Sequence, residues 1–165
     1  MSKPGDHPVT RAIRVLTERQ IAFEVLAYRY EPRGGTRHSS AELGVDEHRV
    51  IKTLIMETDA GKPLVVLMHG DREVSTKNLA RTLGVKAVKP CEPATADRYS
   101  GYFVGGTSPF GTRRAMPVYA EATIFELNPI YINAGHRGFM LRMDPADIRK
   151  VLDVTEVNVA VERTA

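Results

Sequence analysis

Lys52 stands in the middle of an apolar stretch, Val-Ile-Lys-Thr-Leu-Ile-Met (50–56), and its chemistry needs explaining first. Alternate side chains of a strand share a face, so Val50, Leu54 and Met56 lie with Lys52 while Ile51, Thr53 and Ile55 lie opposite. Such a lysine either snorkels to water from an edge strand or lines a pocket. In a pocket, a partly desolvated ammonium orients a carbonyl or phosphate more strongly than it would in bulk water. The second candidate is 101–111, Gly-Tyr-Phe-Val-Gly-Gly-Thr-Ser-Pro-Phe-Gly. Tyr102, Phe103 and Val104 are strand formers, and Gly105 and Gly106 have no Cβ. The stretch is therefore either a tight turn between two strands or a cradle in which backbone N–H groups meet a ligand. Ser108 does not fit a hydrolase nucleophile elbow, because Pro109 holds it extended where a helix would have to begin.

The remaining reactive residues form no catalytic constellation. His7, His38, His48, His69 and His136 are scattered, with no pair at i, i+4 and no acidic partner at ligand spacing, so no metal site is expected. Cys91 follows Pro90 and has no neighbour in sequence to lower its pKa, which makes it a small apolar filler rather than a nucleophile. Neither a P-loop nor a dinucleotide Gly-x-Gly-x-x-Gly follows a strand, and no cofactor is expected. Basic residues gather at Arg113-Arg114, at His136-Arg137, and through Lys77, Arg81, Lys86 and Lys89. Most such charges belong to a solvated face; the first two clusters flank glycine turns, where guanidinium and backbone N–H can act on one anion.

These residues need a scaffold, and the apolar periodicity supplies one. Val9, Ala12, Ile13 and Leu16 mark a first amphipathic helix, and 23–30 reads as a strand with Phe23, Val25 and Ala27 on one face. The segment 31–38 is a loop by composition. Ser39-Ser-Ala-Glu42 reads as a capping box opening a short helix that Gly44 stops. Strands at 50–56 and 64–68 form a hairpin across Asp59-Ala-Gly-Lys-Pro. Ser75 caps a helix closed by Gly84; a short strand at 85–88 and a short helix at 93–98 follow. Strands are expected at 118–120, 130–132 and 139–143, the last two joined through Ala134-Gly-His-Arg-Gly138. Asp144-Pro145 caps a last helix carrying Ile148, Val151 and Leu152, and Val157, Val159 and Val161 form a strand or an extended tail. This irregular interleaving predicts an α/β (mixed α+β) fold with a mixed sheet of about six or seven strands.

Composition bounds the class. With 165 residues, 42% hydrophobic and 26% charged, the chain reads as one soluble globular domain, 1–165. No apolar run approaches a membrane span, and the start Met-Ser-Lys-Pro-Gly-Asp-His-Pro lacks the apolar core of a secretion signal. A single cysteine excludes an internal disulfide and fits a reducing cytoplasm. The net charge of +3 permits a nucleic-acid partner at a local patch without demanding one.

Taken together, Val-Ile-Lys-Thr-Leu (50–54), the glycine stretch 101–111 and Gly-His-Arg-Gly (135–138) resemble the YbaK/EbsC family of aminoacyl-tRNA deacylases, over nearly the whole chain. The resemblance implies a mixed sheet curled towards a barrel with helices around it. It also implies a trans-editing function in which a wrongly attached amino acid is removed from tRNA, cysteine from Cys-tRNA(Pro) above all, with Cys-tRNA(Cys) as a further substrate. Lys52 matches the family's essential lysine, Gly105 and Gly106 match glycines whose backbone groups hold the scissile ester, and Tyr28 matches a tyrosine of the pocket wall. Thr107, Ser108, Asn133, Gly135, Arg137 and Met140 are the further substrate-binding residues this resemblance implies. In cysteine-specific members the substrate's own thiol attacks the ester, which accords with the lack of a triad or metal; the pocket then supplies placement and an electrostatic hold. Those members carry a serine where this chain has Asn133 and an aspartate where it has Met140. The implied partners are the acceptor end of a mischarged tRNA and a prolyl-tRNA synthetase. Two alternatives are a deacylase for another small amino acid such as alanine, using water, and a tRNA- or synthetase-binding module without catalysis. A small-molecule esterase lacks the nucleophile, base and orienter it would need.

Overall fold

The computed structural model describes residues 7–164; most of the polar start, 1–6, lies outside them. The first helix, α1 (Arg11–Glu18), begins where Thr10 Oγ1 accepts the Ile13 N–H, and it buries Ala12, Ile13 and Leu16. Val9 precedes the cap and is exposed, so the apolar stripe starts one turn later than its spacing suggests. Strand β1 (Glu24–Ala27) is shorter than 23–30 and packs on both faces. Phe23 and Val25 touch one core cluster and Leu26 another, while Ala27 is exposed.

Helix α2 (Gly35–Leu43) begins within the segment expected to be a loop. Ser39 is no cap. Ser39 and Ser40 are buried within the helix and donate to the carbonyls of Thr36 and Arg37. Room for this entry comes from Gly34, where a Cβ would lie 2.7 Å from His38 Cβ. Gly44 ends the helix in the left-handed conformation, as its sequence position predicts.

Strands β2 (Val50–Thr58) and β3 (Pro63–His69) form the expected antiparallel hairpin. β3 is buried along its whole length, and its alternation divides the interior. Val65 and Leu67 face a cluster containing Ile51, Ile55 and Phe110; Leu64, Val66 and Met68 face one containing Met56 and Leu79. β4 (Arg72–Val74) leads through the Ser75 cap into α3 (Thr76–Leu83), and β5 (Val88–Pro90) leads into α4 (Pro93–Ser100). Then come β6 (Val118–Glu121), β7 (Ile130–Asn133), β8 (Phe139–Met143), the short α5 (Ile148–Val151), β9 (Val154–Val157) and β10 (Ala160–Glu162).

The main sheet has eight strands, in the order β1-β8-β7-β2-β3-β6-β9 with β5 added to β2. Parallel pairs β2–β7, β3–β6 and β6–β9 stand among antiparallel ones, so the sheet is mixed, as the interleaving predicts. Val157 ends β9, which closes one edge of the sheet, and Val161 lies in β10, which pairs with β4 in a separate ribbon; Val159 lies between the two. The Glu121 carboxylate fixes the corner between them by accepting the N–H groups of Val159 and Ala160. Among the described residues, no helix is long and apolar enough to cross a membrane.

A histidine pair joins β3 to the turn before β2. The rings of His48 and His69 stack at 3.8 Å, nearly parallel at 6°. His69 is only 1% exposed. Its Nδ1 faces the His48 carbonyl at 2.8 Å, which can only accept, so Nδ1 carries the proton and Nε2 accepts from the Thr123 hydroxyl at 2.7 Å. Burial holds the His69 pKa below its ordinary 6.5, outweighing the His48 carbonyl that favours the charged form. A base depressed in the folded state binds its proton sooner when unfolded, so its stabilising effect is complete above about 6.5 and is lost as pH falls towards the folded value. Denaturant melts between pH 7.5 and 5 should show this loss, and His69→Gln should flatten it. A slope unchanged by that substitution would refute the assignment.

Candidate functional site

The sheet splits at Lys52. β3 flanks β2 over nearly its whole length, but on the other side the β7 ladder stops at Ile51 and the β5 ladder begins only at Met56. The intervening residues face a gap instead of a strand. A cavity of about 730 Å³ opens there, lined among others by Lys52, Thr53, Leu54, Asn133 and Met140. Lys52 is therefore on a central strand and lines a pocket, which decides between the two readings of its sequence context.

The electrostatics of Lys52 follow from this position. Burial pushes its pKa below the ordinary 10.5, and the Arg163 guanidinium pushes the same way; Glu73, Glu47 and Asp71 partly oppose them. Among the described residues it has no ion-pair partner. Arg163 is instead held by Glu47 in a bidentate pair at 2.7 and 3.1 Å, and the Thr36 hydroxyl reaches the same carboxylate at 2.8 Å. For Glu47, burial raises the pKa, but the bonds from Arg163 and Thr36 prevail and hold the carboxyl below its ordinary range. Arg163 and Glu47 thus fix the start of α2, one wall of the cavity, and the Glu47 carboxylate is taken by Arg163 rather than by the lysine.

The second wall is the glycine stretch, which is no strand. Tyr102 turns inward and donates to the Phe110 carbonyl at 2.6 Å, and the Val104 N–H is taken by Asp97 of α4. These local bonds replace the ladder that the strand formers suggest, leaving Phe103 70% and Val104 45% exposed. Gly105 lines the cavity at φ +98°, a conformation that favours glycine. Its N–H and that of Thr107 meet no acceptor among the described residues. Gly106 differs: it is buried, its N–H is given to the Phe103 carbonyl at 2.9 Å, and a Cβ there would lie 2.7 Å from Arg137 N.

The third wall is the β7–β8 turn and the end of β1. Arg137 donates from Nε to the Val104 carbonyl at 2.8 Å, and its guanidinium lies against the Tyr30 and Phe103 rings at 5.1 and 5.7 Å. Tyr28 gives its N–H to the Gly138 carbonyl and lines the cavity; burial raises its hydroxyl pKa.

Of the residues singled out in the sequence, Lys52, Tyr28, Gly105, Thr107, Asn133, Arg137 and Met140 meet at the cavity. Gly106, Ser108 and Gly135 lie behind its wall. Ser108 is fully buried, with Oγ accepting the Phe110 N–H, and Gly135 packs against Tyr102, where a Cβ would come within 2.8 Å of the ring.

Sequence reasoning missed Tyr30, Thr36, His38 and Thr53, which the fold brings to the same space. The alternation of Tyr28 and Tyr30 was the available signal for one of them. Thr53 Oγ1 and Asn133 Oδ1 are buried without a hydrogen-bond partner among the described residues, as expected of groups that await a polar ligand. Cys91 also lines the cavity, but burial and the Glu57 carboxylate push its thiol pKa up, away from nucleophilic behaviour. Among the described residues, no three His, Cys, Asp or Glu side chains group in a way that could hold a metal.

The model of the aminoacyl-tRNA editing domain family matches residues 33–151, which carry Lys52, the glycine stretch and the Arg137 turn. The chain belongs to this family. Editing an aminoacyl-tRNA means cleaving the ester that joins the amino acid to the terminal ribose, so aminoacyl-tRNA deacylation is the activity the family carries. One relative of the editing domain, from Enterococcus faecalis, is provisionally named the Cys-tRNA(Pro)/Cys-tRNA(Cys) deacylase EbsC. It is 27% identical over 90% of this chain and 91% of its own length. A proline–tRNA ligase of Nitratidesulfovibrio vulgaris is 32% identical over 52% of this chain, a match covering 15% of the ligase. The fold is shared with a crystal structure provisionally described as that of a trans-editing enzyme for prolyl-tRNA synthetase, with TM-score 0.80 and 15% identity over 93% of this chain and 96% of that one.

Proposed function

We propose that this editing domain, acting as one unit over 1–165, removes cysteine from mischarged tRNA(Pro) without being part of the synthetase. The observation that carries the reading is Lys52: a half-buried ammonium with no ion-pair partner among the described residues, lining a cavity also lined by Gly105 and Thr107, whose N–H groups meet no acceptor among the described residues. A cation and two amides form a hold for the oxyanion of an ester under attack. The cavity is roomy enough for the aminoacyl group and the terminal ribose together, and Thr53 and Asn133 offer unpartnered polar atoms to the substrate.

The attacking atom comes from the substrate. The cysteine Sγ adds to the ester carbonyl, the tetrahedral intermediate collapses, and the C–O bond to the ribose breaks. The thiol's proton ends on the ribosyl oxygen, leaving a free tRNA 3′ end and a strained thiolactone that water opens to cysteine. The protein supplies placement and charge, worth together several orders of magnitude in rate. The similarity to part of a proline–tRNA ligase and to the EbsC relative supports tRNA(Pro) as the carrier and a prolyl-tRNA synthetase as a neighbour.

Deacylation of Cys-tRNA(Pro), Cys-tRNA(Cys), Ala-tRNA(Pro) and Ser-tRNA(Pro) by the purified protein tests this. Cys-tRNA(Pro) should be cleared fastest, and serine, with a hydroxyl in place of the thiol, should be slower by at least about 100-fold because the intramolecular attack is lost. Alanine cleared as fast as cysteine would make water the nucleophile and overturn the thiol mechanism. If no ester is cleared while tRNA still binds in low salt, the chain is a binding module.

A further inference from the structure

The most exposed large apolar side chain among the described residues, Phe103 at 70%, sits beside the cavity rather than at a random point of the surface. The Arg137 guanidinium lies 5.7 Å from the centre of its ring and 5.1 Å from that of Tyr30, and both Arg137 and Tyr30 line the cavity. The Nε bond to the Val104 carbonyl ties that guanidinium to the residue that follows Phe103. Basic groups flank it. Arg33 lines the same cavity, and Arg98 and Arg114 stack on the Tyr99 ring at 5.4 and 4.9 Å at the base of the loop. Of the acidic residues nearby, Asp97 accepts the Val104 N–H and Glu31 lies 3.3 Å from His38 Nδ1. An exposed ring with cations around it, continuous with a cavity, is the arrangement that binds unpaired nucleotides: bases stack on the ring and phosphates meet the charges.

We propose that Phe103, backed by Arg137, is a stacking platform for an unpaired base of the RNA 3′ end, next to the nucleotide that enters the cavity. This rests on the editing reading but concerns how the RNA, not the amino acid, is held. A folded protein partner fits the site less well, because one ring among cations offers little apolar area for a protein interface core.

The test uses uncharged RNA minihelices, one ending in single-stranded CCA and one blunt, with fluorescence anisotropy on wild type, Phe103→Ala and Phe103→Trp. The alanine variant should bind the CCA minihelix about 5- to 100-fold more weakly, the range of one base–aromatic stack, and tryptophan should restore the affinity. The blunt minihelix should bind weakly and with the same affinity in all three. Phe103 is too exposed to matter for folding, and equal melting temperatures will confirm that the variants are intact. Unchanged CCA affinity in Phe103→Ala, or an equal loss on the blunt duplex, would overturn the proposal. So would a loss confined to capture of prolyl-tRNA synthetase. The two readings fail separately: a wild type that clears no ester but binds CCA in a Phe103-dependent way defeats the editing reading alone. An active enzyme whose RNA affinity ignores Phe103 defeats the platform alone.

Discussion

Lys52→Ala should abolish measurable deacylation, with kcat/KM down by at least about 100- to 1,000-fold, the usual loss when one preorganised group is taken from an oxyanion hold. The same variant should fold. Lys52 makes no ion pair among the described residues, and its burial disfavours the charged form more than Glu73, Glu47 and Asp71 favour it, so removing the ammonium relieves a net desolvation cost and forfeits the packing of its methylenes. Lys52→Met keeps that packing and should melt at or above the wild-type temperature while being equally inactive. The wild-type pH profile carries a second signature. The working species is the ammonium, and its folded pKa lies below 10.5, so the enzyme-dependent rate should fall on the alkaline side earlier than an ordinary lysine would allow. Arg163→Ala should move that limb to higher pH, since it removes a like charge and leaves Glu47 unneutralised. Initial rates over pH 7 to 10, corrected for spontaneous ester hydrolysis, measure both effects. An active Lys52→Met would remove the lysine from the mechanism.

Lys52 was legible for a simple reason: a charge in a strand apolar on both faces contradicts its surroundings. The hairpin of β2 and β3 was legible for the same apolar pattern. What made the lysine a pocket residue was invisible, because it depends on where β7 stops and β5 begins, two registers set by distant parts of the chain. Tyr102, Phe103 and Val104 misled through propensity. Their backbone prefers extension, but tertiary partners, Asp97 for the Val104 N–H and Phe110 for the Tyr102 hydroxyl, decide the outcome. Gly34 and Gly35 misled in the opposite direction, since a pair that usually breaks helices here makes room for one to start.

The glycine pair itself separates two accounts of the site. If Gly106 serves as an amide donor to the ester, Gly106→Ala keeps the N–H and should cost little. Its N–H is already given to Phe103, however, and its missing Cβ is what lets the Arg137 turn approach. An added Cβ would meet Arg137 N at 2.7 Å and His136 C at 2.9 Å, both backbone atoms that cannot step aside as a side chain would. The loop and the turn must then part. The expected cost is about 1–3 kcal/mol of stability, as for other overpacked contacts, or a melting temperature several degrees lower. Activity should fall about 100-fold, because Gly105, Thr107 and Arg137 all sit on the two segments pushed apart. Gly106→Ser should match alanine, since both add the same offending atom. At Gly105, alanine would meet the far end of the Tyr30 side chain, a contact easier to relieve than one with backbone, and suffer mainly from φ +98°. Thermal melts and deacylation rates for the three variants decide the matter. A Gly106→Ala protein with wild-type stability and rate would show that the two walls do not depend on this contact, and the close approach of loop and turn would lose its role in the site.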